Sequence, residues 1–282
     1  MIQKIPSVET LLKLLDDEDN VARAAILQLL MHYSSELPEI LRQLQECDNA
    51  ILRKRSHQIQ SLITFRQRRL NLHNILKNHC RTFSISKALI EMHFMWYEKE
   101  KNADPVELYL DLLNDYSSNN ADSLQNLVAF LKEKNFTALP DNTIAAELYM
   151  AGDVLKNLAG INSFMCALVL AINEDLKLGL EIEVINFEHK FYIYERSSDT
   201  IVDILQHWQI RKKNFSGEKH FSSNQLLKFI GSLCFCNAIQ TDAFRCVLIL
   251  GEILSENHDL SALPYPYGSS DRKLNQQDKT AE

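Results

Sequence analysis

Ser163, His189 and Asp203 follow one another in the order nucleophile, base and orienting acid. Ser163 opens an apolar helical stretch, His189 falls between two strand-like runs, and Asp203 ends a third. A helix N-terminus lowers the pKa of a nucleophile, and neighbouring strands hold an imidazole and a carboxylate within hydrogen-bond reach. The chemistry such a set performs is acyl transfer or hydrolysis through a covalent intermediate. Cys166 is a rival nucleophile: three residues after Ser163 on the same predicted helix, it shares roughly the same face but sits one turn deeper, where the dipole helps less. It also reads as a small core hydrophobe. With 9 His in the chain, this order arises readily by chance, so spacing alone does not establish a site.

The elements that must hold these residues follow from periodicity. Residues 162 to 178 are apolar and helical, after which Glu181–Phe187 and Lys190–Tyr194 alternate β-branched and aromatic residues, the text of strands. Arg196-Ser197-Ser198-Asp199 is turn chemistry, and Thr200–Asp203 reads as a third short strand. Before this segment the chain is helical. Ser7 caps a helix with Val8, Leu11 and Leu15, a second runs from Val21 to Tyr33, and Leu37-Pro38 opens a third ending near Glu46. A long fourth helix spans about Asn49 to Asn78. These pairs resemble HEAT-type units, or else form a plain bundle. Ser84 or Ser86 starts a helix with an aromatic face, Asp104-Pro105 starts one through about Tyr116, and another covers Ser123 to Lys134. After residue 222, Gln225–Cys236 and Thr241–Ser255 make a helical hairpin, and Pro264–Glu282 reads as a disordered tail.

Composition narrows the function. Of 282 residues, 46% are hydrophobic and only 7 are Gly, so a packed helix-rich protein is expected and no Gly-rich phosphate loop exists. A net charge of -7 argues against a general polyanion binder. One basic cluster, Arg53, Lys54, Arg55, Arg66, Arg68 and Arg69, lies on the long fourth helix. It reads as a solvated face, with contact to a phosphate backbone or an acidic surface as the other reading. Cys47, Cys80, Cys166, Cys234, Cys236 and Cys246 form no CxxC pair, and His73 and His79 are not at ligand spacing, so neither a structural metal nor a cofactor is expected. Lys4, Glu9, Lys13 and Asp16 exclude a signal-peptide core from the first 20 residues, and no apolar run spans a bilayer; a cytoplasmic protein is expected.

Gly152-Asp153-Val154-Leu155-Lys156-Asn157, Asn162-Ser163-Phe164, Val184 to His189 and Ile201-Val202-Asp203 together resemble the bacterial SirB-type transglutaminase-like family. The motifs are specific over about 153 to 203, and the helical flanks match the family layout. The resemblance implies a small α+β, papain-like core between a helical N-terminal region and TPR-like helices. It places the nucleophile on Ser163, the base on His189 and the orienting acid on Asp203. The family shows Pro-Gly before the His, a Pro after the Asp and a Cys at the nucleophile, where this chain has Phe187-Glu188, Ile204 and Ser163. A serine without a dedicated oxyanion hole is a far weaker nucleophile than a thiolate.

The fold class expected is therefore mostly α with a small transglutaminase-like α+β core. Its regions are 1–80 (HEAT-like or bundle), 81–150 (helices packing on the core), 151–210 (the core), 211–262 (TPR-like hairpin) and 263–282 (tail). The function expected is a pseudoenzyme acting through protein–protein contacts of its helical surfaces, with no membrane or nucleic-acid partner. The alternative is a Ser/Cys-His-Asp hydrolase or acyl-transferase acting on an amide or ester.

Overall fold

A computed structural model of the protein describes residues 41–42, 50–76, 84–97, 104–117, 123–143 and 145–254. Apart from residues 41–42, which are helical, the helices expected before residue 47 lie outside the described residues, as does the tail after 262. By contacts the chain divides into two compact units, Met1–Arg68 and Arg69–Glu282, the division falling within the long helix α1 (Ala50–Leu76). In the first unit Ser56 Oγ donates to the Arg53 carbonyl, 2.8 Å away.

In the second unit α2, α3, α4 and α7, whose bounds follow, each start where a short polar side chain accepts a free amide. Ser84 caps α2 (Ile85–Trp96) through the Lys87 N–H, and Asp104 accepts from the Val106 N–H at 2.9 Å ahead of α3 (Pro105–Ser117). Ser123 caps α4 (Leu124–Glu133) through the Asn126 N–H. Ser222 and Gln225 form a reciprocal capping box at the start of α7 (Ser223–Gln240), which packs on α8 (Phe244–Leu254) as the expected helical hairpin. Between α4 and α7 lie β1 (Thr137–Leu139), a single 3-10 turn (Ala146–Leu148), α5 (Ala151–Asn157), β2 (Ala159–Ile161) and α6 (Asn162–Asp175). β1 and β2 form a small parallel pair.

The strand text after α6 becomes one antiparallel sheet. β3 (Ile182–Phe187), β4 (Lys190–Glu195) and β5 (Thr200–Asp203) are joined by β6 (Gln209–Lys212) and β7 (Lys219–Phe221) in the order β6-β5-β4-β3-β7. Among the described residues the chain is thus mostly helical with a small sheet, and no helix is long and apolar enough to cross a membrane.

Side chains alternate across a strand, so each face of the sheet can be followed residue by residue. Val184 pairs with Ile193 and Ile193 with Val202, all three fully buried, on the face that α6 covers. The other face carries Ile185, Tyr192 and Ile201 as one cluster, with Phe187, Tyr194 and Phe215 packed on it. Phe215 comes from the loop after β6 and stacks on Phe187 with ring centres 4.3 Å apart.

α5 is held by a close approach. His93 Nδ1 accepts the Gly152 N–H at 3.3 Å, and a Cβ on Gly152 would come within 2.7 Å of His93 Cε1. Next to it the Tyr97 hydroxyl donates to Asp153 Oδ2 at 2.6 Å. Replacing Gly by Ala in a helix ordinarily gains up to about 1 kcal/mol. Here the ring must move, so Gly152→Ala is expected to lose about 1–3 kcal/mol in urea unfolding; an unchanged or raised stability would show that His93 does not pack there.

Candidate functional site

The first turn of α6 carries Asn162 and Ser163, both at 0% exposure. Its N-cap, Ile161, has no side chain able to accept an amide. The missing acceptor comes from 22 residues upstream: Asp141 Oδ1 takes the Ser163 N–H at 2.8 Å. The Ser163 hydroxyl lies beside that carboxylate without a well-formed hydrogen bond of its own, and Asn162 Oδ1 is likewise unpaired while its Nδ2 donates to the Phe191 carbonyl at 2.9 Å. Burial raises the Asp141 carboxyl above its ordinary value, partly offset by the Ser163 hydroxyl and N–H. Asp141 thus acts as a borrowed cap, with its carboxylate beside the Ser163 hydroxyl. Sequence reasoning passed it over, its signal being only the turn text Pro140-Asp141-Asn142.

Cys166 is at 0% exposure on α6. Burial, together with the negative charges of Asp141 and Asp203, pushes its thiol well above the ordinary value. A nucleophilic cysteine needs the opposite environment, partly exposed and electropositive.

His189 is in the β3–β4 turn. Phe187 pairs with Lys190, so the turn has two residues, Glu188 and His189, at φ 48° and 63°. This is the left-handed pair that matches the twist of a hairpin and that Asn-Gly usually supplies. His189 is exposed and has no polar partner among the described residues. Asp203 is 6% exposed, and its carboxylate accepts the Gln206 N–H at 3.2 Å and faces Arg211 Nη2 at 3.5 Å. One step beyond the Ile193–Val202 pair, Asp203 comes level with Tyr192. Tyr192 and His189 are three residues apart, roughly 10 Å along the strand. Alternating with Val202, Asp203 falls on the face away from α6. No hydrogen bond joins any two of Ser163, Cys166, His189 and Asp203.

A different set meets on the outer face. Lys190, Tyr192, Asp203, Arg211 and the Phe187–Phe215 stack line an open groove of about 560 Å³. Burial and the Asp203 carboxylate raise the Tyr192 phenol, with Arg211 opposing. Apart from Asp203, these residues escaped sequence reasoning, because only strand register reveals which of them share a face.

Among the described residues no three His, Cys, Asp or Glu side chains converge as a metal site. Cys166, Cys234 and Cys246 are buried free thiols and Cys236 an exposed one; Cys47, Cys80 and His79 lie outside the described residues. Of the basic cluster, Arg69 pairs with Glu252 and Lys54 is exposed, while the side chains of Arg55 and Arg66 lie outside the described residues.

Asp141 gives the first turn of α6 a pH dependence with a definite sign. Its carboxyl holds a proton more tightly folded than unfolded, so between its ordinary and its raised value the folded state binds more protons, and stability falls as pH rises. Asp141→Asn removes that slope. Its stability relative to wild type should therefore increase as pH rises above the ordinary carboxylate value in urea unfolding. A decrease would mean that the carboxylate is favoured as an ionised cap. In comparison with known proteins, no family model, no curated protein and no solved structure matches the chain.

Proposed function

We propose that the chain is a non-catalytic protein with a transglutaminase-like core, acting through contacts with other proteins. The observation that carries this reading is the state of Cys166, whose fully buried, proton-holding thiol is the reverse of an activated nucleophile. Ser163 fares no better: its hydroxyl is buried, and His189 and Asp203 engage neither it nor one another.

The helix-then-antiparallel-sheet order of α6 through β5, and the helices on either side, support the likeness to the SirB-type core. Register also sharpens where the likeness breaks. The position matched to the family's His is His189, here the second residue of the two-residue β3–β4 turn, exposed and without a polar partner among the described residues. On this reading the base position has lost its role along with the nucleophile.

Two labelling reagents test the proposal. In native protein, iodoacetamide should modify Cys166 far more slowly than it does in urea, and a fluorophosphonate should leave Ser163 unmodified. Labelling of native Cys166 faster than free cysteine, lost in His189→Ala, would overturn it.

A further inference from the structure

A small cavity, about 10 Å³ in volume, lies where α2, the start of α5, α7 and α8 meet. Its walls are rich in sulfur. Met92 and Met95 come from α2, Met150 sits at the N-cap of α5, Cys234 comes from α7 and Cys246 from α8. The whole chain has 6 Cys and 6 Met, so these five around one void are a convergence beyond sulfur side chains used singly as core filler. Neither thiol is in a disulfide. Burial, and then the neighbouring Cys246, raise the Cys234 thiol, which puts the two sulfurs within electrostatic reach of each other. Cys246 Sγ also makes a long contact, 3.9 Å, to the Met95 carbonyl, tying α8 to α2 beside the cavity.

The void has room for roughly one water-sized guest. Water needs about two to four polar partners, and this lining offers little besides sulfur and hydrocarbon. A soft metal ion has the opposite requirement, since thiolate and thioether donors select Cu(I). Zinc fits poorly, because its structural sites are closed tetrahedra of Cys, His or carboxylate ligands. Two thiols fall short of that, and among the described residues no third Cys, His, Asp or Glu joins them as a site. Methionine is unbranched and flexible, so Met92, Met95 and Met150 can close on an ion without moving their helices.

We propose that this cavity binds one Cu(I) ion through the sulfurs of Cys234 and Cys246, with thioether ligands drawn from Met92, Met95 and Met150. One thiol releases its proton to solvent as its sulfur–copper bond forms, and no electron is transferred. The Cu(I)–thiolate pair is then neutral, as a dry site requires, and the second thiol and the thioethers bind as neutral donors. Of the lining side chains Trp96 alone is not buried, so the cavity lies nearest to solvent at the C-terminal end of α2. Spacing along the chain hides such a site, because its ligands come from four separate elements. It stands apart from the reading of the chain as non-catalytic.

The test is an anaerobic titration of reduced full-length protein with Cu(I) against a coloured Cu(I) chelator. It is run on the unsubstituted chain and on a parent carrying Cys47→Ser, Cys80→Ser and Cys236→Ser. Both should hold one Cu(I) per chain with the same affinity, and a tenfold excess of Zn(II), roughly one RT ln 10 of advantage, should not displace it. Cys234→Ala should weaken binding by about tenfold or more. Met95→Leu and Met150→Leu keep volume and apolar character, so they should retain the parent's circular dichroism while each weakens Cu(I) by about fivefold or more. Cu(I) should also raise the thermal midpoint of the parent and leave that of Cys234→Ala unchanged. Loss of the bound ion from the triple-serine parent, with its circular dichroism intact, overturns the proposal and marks an adventitious thiol site. Displacement by Zn(II), or Met→Leu variants that bind as the parent does, overturns it as well and leaves the sulfurs as core filling.

Discussion

Everything about the centre of this protein depends on the alternation of side chains along β5. Val202 and Asp203 are neighbours in sequence, so one must face α6 and the other must face away. Val202 is drawn inward by the apolar layer it shares with Val184 and Ile193, and a slip of one residue would turn Asp203 into that layer. Asp203 is thereby committed to the outer face. The register that buries the hydrophobic core also turns the Asp203 side chain away from α6, leaving it to act on Cys166 only as a charge that raises the thiol.

The consequences on the two faces are opposite. Against α6 Asn162, Ser163 and Cys166 are fully buried, the cysteine is held neutral, and the polar contacts are the Asp141 cap and the Asn162 bond to the Phe191 carbonyl. An unpaired buried hydroxyl or amide costs roughly 1–3 kcal/mol, so Ser163 and Asn162 are liabilities to stability. On the outer face Lys190 and Glu188 are exposed, while Asp203 is buried and faces the half-buried Arg211 at 3.5 Å.

Local signals made much of this legible. Ser84, Asp104, Ser123 and Ser222 are side chains that accept amides within three residues of themselves, and each marks the helix start expected of it. The alternation in β3, β4 and Thr200–Asp203 likewise declares itself over short stretches. What stayed hidden is non-local. β1, β2, β6 and β7 are three or four residues long and are strands only because a neighbour completes them. The cap from Asp141 crosses 22 residues, and the Glu188-His189 turn lacks the Asn-Gly that usually announces a two-residue hairpin. The strand-like runs did leave Glu188 and His189 between β3 and β4, but not which neighbours share a face, so Lys190 went unnoticed.

The central claim is that Asp203 works with Arg211 on the outer face and not with His189 as part of a triad. A double-mutant cycle in urea unfolding measures this directly, comparing Asp203→Asn with Arg211→Gln and with His189→Gln. The account predicts a coupling of about 0.5–1 kcal/mol between Asp203 and Arg211, with none beyond error between Asp203 and His189. A coupling of that size to His189, with none to Arg211, would contradict it.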